Sequence, residues 1–377
     1  MEERKEYRIG ELYNVQNGLS KGGEFFGTGY PFVSFKTVFN NYFLPVSILD
    51  LAETSEVDRI KYSVKRGDIL ITRTSETAEE LGMSCVALSD MPNATYNGFC
   101  KRLRPRHNDI VLPEYIGYLF RSKAIRSIFN SLSSMTTRAS LRNDDLLRIK
   151  LSLPTINEQK KVASILRTID TKIELNRRIN DNLEQQAQAL FKSWFMENAS
   201  YSGVSISEYF LPNRGKNLLV SDAKGGKTPV VAGGLTPSAF HNVANTKAPV
   251  ITISASGANA GFVNLWGIPV WAADSSYIDS TIVSNIYFWY NLLKYNQKNI
   301  YESQTGSAQP HIYPKHIGNL LIPDLDMRKV ECYESIVASM YLQINEIQQE
   351  TKFLSDLRDT LLPKLISGEL KINDLNC

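Results

Sequence analysis

Residues 156–196 run for 41 positions without a glycine or a proline, and this stretch constrains the chain more than any other feature. A mean globular helix has about a dozen residues. Thr155 and Glu158 have the spacing of a capping box, and Pro154 closes the segment before them. Apolar residues then recur every three or four positions: Val162, Leu166, Ile169 and Ile173, followed by Leu183, Ala187, Leu190 and Trp194. Asn176 and Asn180 fill the seam between the two blocks, where a polar residue costs stability but fixes register and partner. The spacing predicts one helix from Ile156 to Met196 that pairs with another helix, in preference to a shorter amphipathic helix lying on a single domain. A second run, from about Asp326 to Leu362, carries Val330, Tyr333, Val337, Met340, Ile344, Ile347, Leu354 and Leu361, with Pro363 expected to end it. An antiparallel pair would place the flanking globular segments at opposite ends of a rod. The first helix would reach about 60 Å at 1.5 Å per residue, which matches about 18 base pairs of duplex.

Outside these helices the chain reads as two copies of one plan. Tyr7-Arg8-Ile9-Gly10-Glu11-Leu12 is echoed by Val204-Ser205-Ile206-Ser207-Glu208-Tyr209, and Tyr30-Pro31-Phe32-Val33 by Thr228-Pro229-Val230-Val231. Asp68-Ile69-Leu70-Ile71-Thr72 parallels Pro249-Val250-Ile251-Thr252-Ile253, with Gly82 and Gly261 following. Each copy then has a small polar element, Thr136–Ser140 or Thr305–Gln309, a short apolar strand ending at Pro154 or Pro323, and a long helix. Short runs rich in Val, Ile, Phe and Tyr, broken by Gly, Pro, Asn and Ser, predict strand-rich structure. Helical spacing appears at Ile110 to Asn130 and Ile282 to Tyr295. The expected fold class is α+β: two strand-rich mixed α/β domains separated by a long antiparallel two-helix coiled coil, with a pseudo-two-fold internal repeat. The expected boundaries are 1–153, 154–197 (first helix), 198–322, and 323–377 (second helix and tail).

Composition narrows the function class. A net charge of +3 over 377 residues hides a division: +3 in 1–153, +1 in 154–197, +3 in 198–322 and −4 in 323–377. Such an excess in the two globular segments is a weak pointer to a polyanion. No apolar run is long enough to span a membrane and the first ten residues lack a signal-peptide core, so a soluble, cytoplasmic protein is expected. Cys85, Cys100, Cys332 and Cys377 have no paired spacing and read as reduced thiols, two of them buried.

Enzyme signatures are missing. There is no [DN]PP[YF] tetrapeptide and no glycine-rich methyl-donor loop. Gly27-Thr28-Gly29-Tyr30-Pro31-Phe32 has Phe32 where a dinucleotide motif needs its third glycine. Gly226-Lys227-Thr228 has Ser221 in place of a phosphate loop's first glycine and Pro229 in the helix that should follow. His107, His241, His311 and His316 make no metal-binding pair. Neither a metal nor a cofactor is expected.

Leu153-Pro154-Thr155-Ile156-Asn157-Glu158-Gln159-Lys160-Lys161-Val162, with Ile165-Leu166 and Ile169-Asp170 after it, resembles the specificity subunit of type I restriction-modification systems. The tail Leu365-Ile366-Ser367-Gly368-Glu369-Leu370 and the element Thr305-Gly306-Ser307-Ala308-Gln309 are similar to that family too. Met327-Arg328-Lys329 departs from the expected Glu-Gln-Lys start of the second helix, and Thr137-Arg138-Ala139-Ser140 is a loose copy of the element before the first. The resemblance implies a non-catalytic subunit that reads a bipartite site on double-stranded DNA, one half per target-recognition domain. Its helices would dock two modification (adenine methyltransferase) subunits, and two restriction (motor-nuclease) subunits can join. The competing classes are a protein- or RNA-binding scaffold on a coiled-coil rod, and an enzyme with an unrecognised site near Gly233-Gly234.

For DNA contact the sequence offers basic, hydroxyl and amide side chains in loops beside glycines or strand ends. In the first domain these are Ser34, Lys36, Arg73, Thr74, Ser75, Arg102, Arg104 and Arg138. In the second they are Lys224, Lys227, Ser256, Asn259, Gln304 and His311. Arg73 or Gln309 could instead tie loop to loop, and Asn176 and Trp194 are assigned to the helix pair or to its modification-subunit surface, with packing the first role.

Overall fold

The computed structural model describes residues 4–370 apart from 76–79, 108, 133, 136–138 and 307–308. Packing divides the chain into two compact units, residues 1–172 with 354–377 (unit 1) and residues 173–353 (unit 2), so each draws on both long helices.

Unit 1 is built on a four-stranded antiparallel sheet in the order Tyr13–Asn17, Cys100–Pro105, Ile69–Thr72, Ser84–Val86. All four residues of Ile69–Thr72 are buried, because both faces are covered. Ile69, Ile71 and Leu103 face a core that holds Tyr115, Tyr118, Phe120 and Phe129. Leu70 and Cys100 point the other way, toward Val33, Val38 and Tyr96. A three-stranded sheet flanks this one: Phe26–Val33 pairs antiparallel with Leu51–Ala52 and parallel with Thr95–Tyr96. Gly29 sits there at a φ of 99°, where a Cβ would stand 2.5 Å from the Ala52 carbonyl oxygen. The non-motif glycine of the sequence therefore has a packing role.

The stretch with helical spacing from Ile110 to Asn130 forms two helices, Pro113–Arg121 and Lys123–Ser131. Ser122 between them is extended (ψ 149°) and donates its hydroxyl to the Leu119 carbonyl at 2.6 Å, a local bond that competes with helix continuation.

Unit 2 repeats the plan. Its antiparallel sheet runs Asn213–Arg214, Ser275–Asp279, Val250–Ser254, Val263–Trp266. Thr228–Val231 again has one antiparallel neighbour, Ala239–His241, and one parallel neighbour, Trp271–Ala272. Gly82 donates its N–H to Thr72 O at 2.9 Å in unit 1, and Gly261 donates to Ser254 O at 2.7 Å in unit 2. Strand Lys5–Arg8 pairs with Lys150–Leu153, and Ser205 bridges Leu321 in the same role. The helix starts at Ile286, later than the Ile282 expected, because Asn285 is left-handed (φ 59°).

The long helices span Ile156–Phe195 and Met327–Ser367. Pro363 does not end the second. It is exposed on the helix surface while Leu362, Leu365 and Ile366 are buried in unit 1. An interior proline costs about 3 kcal/mol, and burying each such side chain returns about 1.5–3 kcal/mol. The helix stops instead at Gly368, whose φ is 79°, and Arg4 donates to the Ile366 carbonyl at 2.6 Å.

Val162, Leu166, Ile169 and Ile173 are buried as the repeat predicts. Further along, Leu183, Leu190 and Trp194 are only partly buried, whereas Phe191 and Phe195 are 1% and 7% exposed. Phe288 explains the shift, since its ring lies 5.7 Å from Phe191 and 5.0 Å from Phe195. This half of the helix thus also serves as a wall of the unit 2 core, the simpler of the two sequence readings.

Within unit 2 the helix segments run antiparallel. Asn176 Nδ2 donates to Glu350 Oε2 at 2.7 Å, Tyr333 Oη to Ala187 O at 2.9 Å, and Lys329 Nζ to Trp194 O at 2.5 Å. Within unit 1, Arg358 meets Asp170 at 3.0 Å. Cys85 and Cys100 are buried free thiols and Cys332 is exposed; Cys377 lies outside the described residues. Burial pushes the Cys100 thiol up to about 12.

Candidate nucleic-acid interface

In unit 1 the central strand Ile69–Thr72 leads into Arg73, Thr74 and Ser75. Arg73 N–H donates to Phe99 O at 2.9 Å, and its own carbonyl accepts from Leu141 N–H at 3.0 Å. Thr74 and Ser75 pair with Ser140 and Ala139, the return strand of a hairpin. Arg138 lies outside the described residues. Arg73 is half-buried, with its Nε and the Thr74 hydroxyl enclosed and unbonded.

Unit 2 puts its candidates at the corresponding place. Ser256 follows strand Val250–Ser254 and bridges His311, which also exchanges backbone hydrogen bonds with Thr305 at 2.8 and 3.0 Å. Ser256 donates its hydroxyl to Asp274, whose other oxygen accepts from Arg214 at 2.6 Å. Gln304 Nε2 donates to Ala260 O at 2.7 Å. Asn259 is half-buried in the same turn, its carbonyl accepting from Phe262 N–H at 2.9 Å. Ser256, Asn259, Gln304 and His311 therefore converge on one turn, with the His311 ring nearly parallel to Tyr313 (19°, centroids 6.0 Å apart).

A second group lies beside the small sheet of each unit. Lys36 is exposed on the short helix Phe35–Asn40, and Ser34 caps that helix by accepting Thr37 N–H at 3.3 Å. In unit 2, Lys224 and Lys227 are exposed on either side of Gly225-Gly226. The Lys224 N–H donates to His241 Nδ1 at 3.1 Å, and the His241 ring meets Trp271 edge-on at 5.1 Å. Trp271 in turn donates to the carbonyl of exposed Lys216 at 2.8 Å. Exposed Lys216 is thus tied to a half-buried indole and exposed Lys224 to the histidine against it, a combination suited to a phosphate backbone. Sequence reading passed over Lys216 and Trp271 because their proximity to Lys224 depends on parallel strand pairing.

Arg102 and Arg104 were expected in a recognition loop, and the structure places both on a strand of unit 1, Arg102 buried and Arg104 half-buried. Arg104 grips Asp68 with two bonds, Nε to Oδ1 at 2.8 Å and Nη2 to Oδ2 at 2.6 Å. Arg102 is 6% exposed and donates to Ser63 O at 2.5 Å and to Gln16 Oε1. Burial lowers its pKa. Both sit on strand Cys100–Pro105, pointing to the face that carries Asp68. A buried carboxylate needs a partner of this kind.

Residues 1–185 match the family model described as type I restriction modification DNA specificity domain. Over these residues the chain is similar to the type I restriction-modification DNA specificity family. Members are non-catalytic DNA-recognition components. The chain is 23% identical to the MjaIX specificity subunit of Methanocaldococcus jannaschii over 97% of this chain and 93% of that protein. It is 31% identical to the HindI specificity subunit of Haemophilus influenzae, over 61% of this chain and 49% of that one. The crystal structure of the type I restriction-modification S subunit of M. genitalium matches with a TM-score of 0.60 at 20% identity, covering 97% of this chain and 96% of that chain. That likeness establishes the mixed α/β fold. Among the described residues no helix is long and apolar enough to cross a membrane, and no cluster of His, Cys, Asp and Glu could hold a metal ion.

Proposed function

We propose that the chain reads a bipartite DNA site for a type I restriction-modification complex, with the domains 1–153 and 198–322 each reading one half. The repetition of one strand order in both units carries this reading, with polar and basic side chains at corresponding loops. Arg73, Thr74 and Ser75 face one half-site and Ser256, Asn259, Gln304 and His311 the other, while Lys36, Lys224 and Lys227 hold phosphates. Ser34, Arg102 and Arg104 shape the loops from behind. The long helices act as an antiparallel coiled-coil spacer and dock two modification subunits, which supply the adenine methylation; restriction subunits join that assembly in the cytoplasm.

The test is to express the chain with its modification partner and sequence the adenine methylation of the host genome. The reading predicts one motif made of two short specified parts around an unread spacer. A continuous motif, or no new methylation, contradicts it.

A further inference from the structure

Two cations in unit 1 meet without a carboxylate. Lys101 is the second residue of strand Cys100–Pro105 and pairs in register with Ile71, while Arg73, two residues beyond Ile71, stands opposite Phe99. Arg73 and Lys101 are therefore diagonal neighbours on one face of the ladder. Lys101 is 4% exposed, and its ammonium donates to the Asn143 side-chain oxygen, a neutral partner. Arg73 Nε and Thr74 Oγ1 are enclosed with no hydrogen-bond partner. Among the described residues no acid forms an ion pair with Arg73 or Lys101, although Arg104, farther along the strand that holds Lys101, has Asp68. Enclosing cations without a counter-charge is costly, and burial, with the Arg73 charge adding to it, pulls the Lys101 pKa down to about 8. The rim of this pair is open: Phe99 and Asn143 are exposed.

We propose that Arg73, Lys101 and Asn143 form a seat for one backbone phosphate of bound DNA, in which the Arg73 guanidinium touches the phosphate and Lys101 supplies charge from behind. This deepens the DNA-reading function above and rests on it. It also changes the role of Arg73 from reading bases to fixing register, since phosphate contacts carry no sequence information.

The test measures binding of the full-length chain, alone and with its modification subunits, to a fluorescent random-sequence duplex between 50 and 200 mM salt. Each lost phosphate contact lowers the salt slope by about 0.9. Arg73→Gln should lower it by that amount, leaving a binding deficit about threefold larger at the low-salt end than at the high-salt end. Asn143→Asp separates the seat from a merely structural pair. The new carboxylate neutralises Lys101, so thermal stability should hold or rise while DNA affinity falls. Weaker binding with an intact melting transition supports the seat. Unchanged slope and affinity in both variants, with the parent chain binding DNA, overturns it and leaves the wider reading standing. Absence of DNA binding by the parent chain in either form overturns both.

Discussion

The Gln159 side chain accepts the Leu112 N–H at 2.9 Å, and its amide donates to Ile110 O at 2.9 Å and Pro154 O at 3.0 Å. One fully buried glutamine thus ties the first turn of a long helix to the start of helix Pro113–Arg121. Unit 2 has its own version: Glu334 of the second long helix accepts the N–H groups of Tyr287 at 3.2 Å and Phe288 at 2.7 Å. In each unit, taken by itself, a long-helix segment caps a helix of the globular part and is packed against it. Gln159 belongs to the Asn-Glu-Gln-Lys-Lys stretch that carries the family resemblance, and this contact gives that stretch a physical reason.

Gln159→Leu should therefore be strongly destabilising. It strands three backbone groups in a buried place, at about 1–3 kcal/mol for each that water cannot reach. Urea unfolding should show a loss of at least about 2 kcal/mol; a shift within error would mean the contact is incidental.

Arg358 and Asp170 join the two long helices within unit 1, both largely buried, and Tyr118 donates its hydroxyl to the same carboxylate at 2.5 Å. Removing one member of such a pair strands the other and costs about 3–5 kcal/mol. Arg358→Met should show this loss. Arg358→Met with Asp170→Asn should recover part of it, and an additive double variant would argue against coupling.

Asn176 is fully buried in unit 2, where its amide nitrogen reaches Glu350 Oε2 and its oxygen has no partner. Asn176→Leu should raise thermal stability by about 1 kcal/mol or more, since a buried polar seam residue trades stability for register. The same variant should lose uniformity, seen as extra species in native mass spectrometry or added exchange broadening. A plain loss of stability would show that Asn176 is a net stabiliser.

Lys101 predicts a pH dependence. Its folded pKa, about 8, lies below the ordinary 10.5, so between these values the unfolded chain binds more protons than the folded one. Stability from this residue therefore rises with pH across that window and is lowest below it. Comparing urea midpoints at pH values on either side of 8 for the parent and Lys101→Met should show the rise in the parent alone. Equal slopes would place Lys101 in a wetter site than its burial indicates.

Much of the architecture was legible because it follows from periodicity and order. Val162, Leu166, Ile169 and Ile173 gave the first helix, and the ordered echoes from Tyr7 and Val204 to Gly82 and Gly261 gave the repeat. What escaped depends on contacts distant in sequence. Phe191 and Phe195 fall outside the heptad seam and are buried because Phe288 packs on them. Pro363 continues a helix because its neighbours reach a core. Arg102 and Arg104 look like ligands in sequence, and only strand register reveals that Asp68 and Ser63 claim them. Lys101 drew no notice for the opposite reason: its charge lies beneath a surface that the order of residues does not display.

The central claim is that two equivalent units read two separate stretches of one duplex. Footprinting the chain with its modification subunits on a DNA fragment carrying the methylated motif tests it most directly. The account predicts two protected patches, about one helical turn or more apart, with the intervening bases free to vary without loss of affinity. A single continuous patch, or protection that vanishes as a whole when only the spacer sequence is changed, would contradict it.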